Sequence, residues 1–265
     1  MKRAIAVAVC ISVFPLAAGP SAQKSHVPTT RPTPVLVELF TSEGCSDCPP
    51  ADALLARLEE QQPISGAQII ALEEHVDYWD QQGWQDPFSS SQWTERQQRY
   101  ASARRIQSIY TPQMVVNGRA EFVGSRERQA RQEIHQALSQ PAVEITLIPL
   151  TSTKRDTAQF KVSVGSLAGA TPGDTAEVWL AITETSLRSS VTRGENAGRD
   201  LHHAAVVRAL RKLGTGDRNK EPAYASEPFI KVDSGWNRQN IRAVAFVQEN
   251  RSRRILGSAA SAIEP

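Results

Sequence analysis

Cys45 and Cys48 are the residues of this 265-residue sequence whose type and spacing point most directly to chemistry. Two thiols separated by two residues can close into a disulfide and reopen, and the thiolate is the form that attacks. The sequence around them favours that form. Before the pair, Val35-Leu36-Val37-Glu38-Leu39-Phe40 is an apolar run with prolines ahead of it, the texture of a buried strand in a parallel sheet. After it, Pro49 and Pro50 suit a first helical turn, and Leu54, Leu55 and Leu58 recur at helical spacing. The pair therefore falls on a strand-to-helix turn, where the partial positive charge of a helix N-terminus stabilises a thiolate. Cys45 is expected to be the exposed nucleophile and Cys48, inside the first turn, to resolve the mixed disulfide. Asp47 between them is expected to be exposed and to oppose the helix in setting thiolate stability.

Three phrases extend the pattern: VELFTSEGCSDCPPAD (37–52), HVDYWDQQGWQDPF (75–88) and YTPQMVVNGRAEFVGS (110–125). The strand, the CxxC and the helix resemble the thioredoxin fold. Together the three phrases resemble a family of secreted bacterial thioredoxin-like proteins, domain-of-unknown-function family 1223 (DUF1223), from about residue 34 onward. The resemblance implies a fold and a redox-competent motif, with no substrate attached. It further implies that Thr111-Pro112 is similar to the cis-proline site of thioredoxin-like proteins, which faces the CxxC and leaves backbone groups free to hold an extended substrate. An X-Pro bond is the peptide for which cis is cheap, at about 0.5–1 kcal/mol. The alternative is a trans proline that merely starts a strand. Glu38 is similar to the buried acid that helps deprotonate the second cysteine in related thioredoxins. Its spacing to Cys45 is one residue longer, so that role needs a bulge or a longer turn in residues 41–45; an acid at the sheet edge is the alternative.

The elements that must position these residues follow in order. Residues 67–72 (AQIIAL) form a second apolar run, expected to pair in parallel with the first across the intervening helix. The stretch after it is dense in aromatics. His75, Asp77 and Asp80 suggest a metal, and Tyr78, Trp79 and Trp84 a substrate groove, against the plainer use of packing the loop onto the core. In an open parallel sheet this loop should neighbour Cys45. Residues 89–105 read as an amphipathic helix capped by Ser91, with Trp93, Arg96, Tyr100 and Ala103 near one face. Residues 109–118 read as a strand leaving through Asn117-Gly118, a strong hairpin signal with a partner over 120–123. A third helix over 126–138 closes a βαβαββα unit.

Beyond Pro141 the texture becomes that of strands, over residues 143–150, 159–164, 177–183, 241–247 and 255–259. Residues 193–212 are ambiguous, since 204–213 fit a helix by period and an edge strand by likeness to the family, and the choice stays open. His202-His203 with Glu195 and Asp200 suggests a second metal set, but adjacent side chains on a strand point to opposite faces. A solvated edge is the simpler reading, with Gly194, Asn196 and Gly198 as turn formers.

Length and composition bound the whole. Lys2 and Arg3, the apolar stretch after them and small residues near 19–22 read as a signal peptide over residues 1–22, with an uncleaved N-terminal anchor as the alternative. The 30 basic residues exceed the 28 acidic ones by Lys2 and Arg3 alone, so the remaining chain has no basic bias for nucleic acid. Cys10 lies in the signal segment, which leaves the CxxC cysteines as the mature pair. So short a ring adds about 2 kcal/mol at best, which makes stability a poor reason for it.

The sequence thus predicts a flexible lead over 23–34, an α/β thioredoxin-like domain over 35–140 and a mainly β, sandwich-like domain over 142–265. The expected function is exported, secreted or periplasmic thiol-disulfide exchange. Cys45, Cys48 and Glu38 are the expected catalytic residues, and Thr111, Pro112, Trp79 and Trp84 the expected substrate-binding ones. The expected partner is a protein bearing a thiol or disulfide. No nucleic acid, no membrane span after signal cleavage, no cofactor and no metal is expected. The alternatives are Cu(I) delivery by the two thiolates, for which Met114 is the sole mature methionine to supply a thioether, and a non-catalytic binding module.

Overall fold

The computed structural model describes residues 31–152 and 156–263; the expected signal peptide and most of the expected lead lie outside them. The first part of the chain runs β1 (Thr33–Thr41), α1 (Pro49–Gln61), β2 (Ala67–His75), α2 (Ser91–Arg104), β3 (Gln113–Val116), β4 (Ala120–Val123) and α3 (Glu127–Ala137). Each boundary has a local cause. Pro49 and Pro50 open α1, where their missing N–H groups would be unpaired in any case. Ser90, one residue earlier than expected, caps α2 by accepting from the Gln92 N–H at 3.2 Å. Asn117 and Gly118 both take positive φ, 44° and 60°, and turn β3 into β4.

β1 pairs in parallel with β2, from Thr33 opposite Ala67 to Thr41 opposite His75, and antiparallel with β3. Strand alternation then divides the side chains between two layers. Val35, Val37, Leu39, Ala67, Ile69 and Ala71 pack with Leu54, Leu55 and Leu58 of α1 and Ile134 of α3. Leu36, Phe40, Ile70 and Leu72 pack on the opposite face with Trp93 and Tyr100 of α2. Each leucine buried whole contributes about 1.5–3 kcal/mol.

The second part runs β5 (Ile145–Leu150), β6 (Thr157–Val164), β7 (Ala176–Glu184), β8 (Leu187–Ser190), β9 (Asp200–His203), β10 (Val206–Thr215), β11 (Tyr224–Ser226), β12 (Phe229–Lys231), β13 (Ile241–Glu249) and β14 (Ile255–Ala262). The open choice over residues 204–213 resolves to strand, as β10, with β9 before it and turns over residues 193–198. The two parts join through a shared sheet. One mixed sheet of eight strands runs β14-β13-β7-β10-β2-β1-β3-β4 through both. The joint is β10 beside β2, in parallel, with Val206 opposite Glu73 and the Glu73 N–H donating to the Ala205 carbonyl at 2.9 Å. Without β10, the outer side of β2 would present unpaired backbone groups at an edge. β5, β6, β11 and β12 form a second sheet, and Phe160, Val162 and Val164 share a core with Val178, Leu180, Ala245 and Val247 of the large one. Among the described residues no helix is long and apolar enough to cross a membrane.

Candidate functional site

Cys45 and Cys48 form a disulfide with Cα atoms 5.4 Å apart, and Cys48 is the residue that caps α1. The Cys48 carbonyl accepts from the N–H groups of Ala51 at 2.8 Å and Asp52 at 3.1 Å, so the second sulfur belongs to the helix start while the first lies in the preceding turn. Ser46 and Asp47 are exposed. Cys45, expected to be exposed, is only 2% accessible, and Cys48 is 0%.

A segment far along the chain covers Cys45. The fully buried side chain of Asn196 donates from Nδ2 to the carbonyls of Glu43 at 2.8 Å and Cys45 at 2.9 Å. Beside it, the Ser46 N–H donates to Glu195 Oε2 at 3.0 Å. Asn196 had read only as a turn former between glycines. Its role depends on a tertiary neighbour about 150 residues earlier, and no local sequence signal announces that.

Of the expected groove residues, Trp79 and Thr111 are brought together. Trp79 donates from Nε1 to Thr111 Oγ1 at 2.8 Å, and its Cβ lies 3.1 Å from where a side chain on Gly44 would begin. Trp79 thus spans from the turn before Cys45 to the Thr111-Pro112 peptide, which is cis. Pro112 Cβ and Ala51 Cβ both lie within 3.3 Å of the point where a Cβ on Gly124 would sit, which sets the proline against the first turn of α1. Trp84 is turned elsewhere. Its Nε1 donates to Glu43 Oε2 at 2.7 Å, and its Cβ lies 3.2 Å from where a Cβ on Gly194 would sit, so it packs against the covering segment.

Beneath the disulfide turn lies a buried set of acids and histidines. Glu73 and His75 come from the end of β2, which continues three residues beyond the apolar run that marked it in the sequence. His203 Nδ1 lies 2.9 Å from Glu73 Oε1, and His203 Nε2 lies 3.1 Å from Glu43 Oε1. His75 Nδ1 lies 2.7 Å from Asp86 Oδ2. His202 is exposed while His203 is buried, as strand alternation requires, so the solvated edge expected for the pair holds for one residue only. Burial opposes a charged ring at His203, but Glu73 and Glu43 outweigh it and hold the pKa up at about 9. Asp52 on α1 accepts from Thr41 Oγ1 at 2.6 Å; burial first, and Glu73 second, push its carboxyl up to about 7. The expected set of His75, Asp77 and Asp80 is not assembled: Asp77 accepts from Thr94 at 2.6 Å and Asp80 from Ser89 at 2.7 Å.

Glu38 occupies the other face of the sheet. It is fully buried in the middle of the sheet, between β2 and β3, so the sheet-edge alternative does not hold. Its Oε1 accepts from Arg96 Nε at 2.7 Å and its Oε2 from the Tyr100 hydroxyl at 2.5 Å. Residues 35, 37 and 39 face α1, and Glu38 therefore faces α2. The structure gives it Arg96 and Tyr100 as partners and does not turn it toward α1.

Two solved structures share the architecture. A protein of Agrobacterium tumefaciens is 23% identical with a TM-score of 0.62, over 87% of this chain and 95% of that one. HBP35 of Porphyromonas gingivalis is 14% identical with a TM-score of 0.64, over 88% of this chain and 76% of that one. At these identities the likeness is one of fold. No curated protein matches the chain. The family model described as "Protein of unknown function (DUF1223)" matches residues 36–248, and the chain belongs to that family.

Proposed function

We propose that this chain performs thiol-disulfide exchange at Cys45 and Cys48, as an exported protein whose first part is a thioredoxin-like unit and whose partner bears a thiol or disulfide. The observation that carries this reading is the Cys45–Cys48 disulfide at the start of α1, where a released thiolate faces a helix N-terminus. In the direction of substrate oxidation, a partner thiolate attacks Cys45 Sγ, the Cys45–Cys48 bond breaks and its electron pair leaves on Cys48. A second partner thiolate then attacks the partner's own sulfur in the mixed disulfide and releases Cys45. Two electrons pass to the protein and two protons follow them. Substrate reduction is the reverse sequence.

Asp52 is the acid this reading assigns to the proton of Cys48, in the place expected for Glu38. It lies on the same helical turn, is buried, and has a carboxyl held at about 7, where it can both take and return a proton. Trp79 and Thr111, both half-buried, form the surface offered to the partner chain, with Pro112 buried behind them. Because Asn196 and Glu195 hold the turn around Cys45, a partner reaches the sulfur by displacing residues 194–198. Copper delivery gains nothing from the fold, since Met114 is fully buried in the core.

The test is trapping in the export compartment. Cys48→Ala, which leaves the attacked cysteine without its resolving partner, accumulates mixed disulfides with client proteins; Cys45→Ala does not. Equal trapping by the two variants would overturn the assignment of roles, and no trapping by either would overturn the function.

A further inference from the structure

The histidines under the disulfide turn are arranged as metal ligands are. Glu73 Oε1 lies 2.9 Å from His203 Nδ1 and 3.5 Å from His75 Nε2. One donor atom from each of the three residues lies within 4.8 Å of the other two. Two donors on one tetrahedral ion, with bonds of about 2.0–2.2 Å, sit about 3.3–3.6 Å apart, so the 3.5 Å edge falls at that spacing, while the 2.9 Å edge is a hydrogen bond that an ion would open slightly. All three side chains are fully buried.

Two independent features point the same way. A ligating histidine gives its remote ring N–H to a carboxylate, which fixes the tautomer and leaves the near nitrogen as a lone pair. Both histidines have that partner: His75 Nδ1 has Asp86 at 2.7 Å, and His203 Nε2 has Glu43 at 3.1 Å. The two carboxylates are fixed in turn, since Asp86 Oδ2 accepts the Glu43 N–H at 2.8 Å and Glu43 Oε2 accepts Trp84 Nε1 at 2.7 Å. The second feature is His75 Nε2, which is buried, meets Glu73 Oε1 only in a long ion-pair contact at 3.5 Å, and has no closer partner among the described residues. A polar atom left so is costly unless something binds it.

We propose that Glu73, His75 and His203 form a binding site for one divalent transition-metal ion, with Asp86 and Glu43 orienting the two histidines. Imidazole nitrogen with a single carboxylate suits Zn2+ and its first-row neighbours, whereas Ca2+ requires six or more oxygens. The ion would tie β9, next to the segment that covers Cys45, to the end of β2. None of this depends on the exchange activity proposed above.

The experiment uses the full-length chain with its disulfide kept oxidised, so that the cysteine sulfurs cannot ligate. The chain is refolded with Zn2+ or Co2+, freed of loose metal, and its bound metal measured by mass spectrometry and by the visible absorption of Co2+. The expected result is one equivalent per folded chain, lost in His75→Gln. Asp86→Asn, which alters only an orienting carboxylate, should weaken affinity by about 10–100-fold and guards against misfolding of the ligand variant. Folded wild-type chain holding no stoichiometric metal would overturn the proposal, as would an equivalent whose affinity is unchanged in Asp86→Asn and that survives His75→Gln.

Discussion

Strands β1 and β2 bury charge on both faces of the sheet, and the two faces neutralise it differently. Toward α2, Glu38 and Glu74 share Arg96, whose Nε lies 2.7 Å from the first and 3.1 Å from the second, with Tyr100 and Gln248 completing the set. Toward α1, Glu43, Glu73 and Asp86 are met by His75 and His203. Arginine keeps its proton at every relevant pH, so Arg96 gives the α2 cluster a fixed cation, while burial raises the Glu74 carboxyl well above its ordinary value. Histidine can give its proton up, so the cluster under the disulfide can change charge or exchange its protons for another cation.

The comparison is broken most forcefully at Arg96. Arg96→Met leaves Glu38 and Glu74 buried without their cation and should cost about 3–5 kcal/mol in denaturant unfolding. In the folded fraction, the rate of Cys45–Cys48 reduction by a small thiol should not change. A slower or faster reduction would show that the two faces are coupled and that Glu38 acts on the cysteines after all.

Asp52 sharpens the contrast through pH. Its carboxyl titrates at about 7 in the folded chain against 3.8 when free, so the stability it contributes as a neutral acid is complete below 3.8 and is lost as pH rises through about 7. Asp52→Asn keeps the acceptor for Thr41 and never ionises. At pH 8 it should be more stable than wild type by on the order of 2–4 kcal/mol, with the gap closing by pH 4. Parallel stability curves for the two proteins would show Asp52 charged throughout and remove it as the proton acceptor.

Smaller effects belong to the cover. Asn196→Ala frees the carbonyls of Glu43 and Cys45, should cost about 1–3 kcal/mol, and should speed reduction of the disulfide by a small thiol. Unchanged kinetics would mean that the cover opens without breaking those bonds. Trp79→Phe keeps the ring against Gly44 but loses the bond to Thr111, a change worth about 0.5–1.5 kcal/mol. It should weaken exchange with a protein partner while leaving reaction with a small thiol as it was, and equal loss of both would place Trp79 outside the partner surface.

The sequence made some of this legible and hid the rest for definable reasons. The strand, the CxxC and α1 were readable because apolar spacing and prolines act within a few residues. The end of β2 was not, because Glu73, Glu74 and His75 look like loop until β10 and His203 are placed against them. Glu38 was singled out correctly as a buried acid. Its face, however, is set by counting along β1 from Val37 and Leu39, which pack toward α1, and that count puts it on the side of α2. His203 stood out only as half of a tandem pair and Asn196 only as a turn former, since the role of each is defined by a contact with residues 130 or more positions away.

Thiol-disulfide exchange requires the Cys45–Cys48 bond to open and close in the folded protein, and a redox titration tests that most directly. The chain is equilibrated in glutathione buffers of graded potential, and its free thiols are counted by alkylation while circular dichroism follows the fold. A reversible two-electron transition, changing tenfold per about 30 mV with the fold retained, is the predicted result. A disulfide that stays closed in every buffer until the chain unfolds would contradict it.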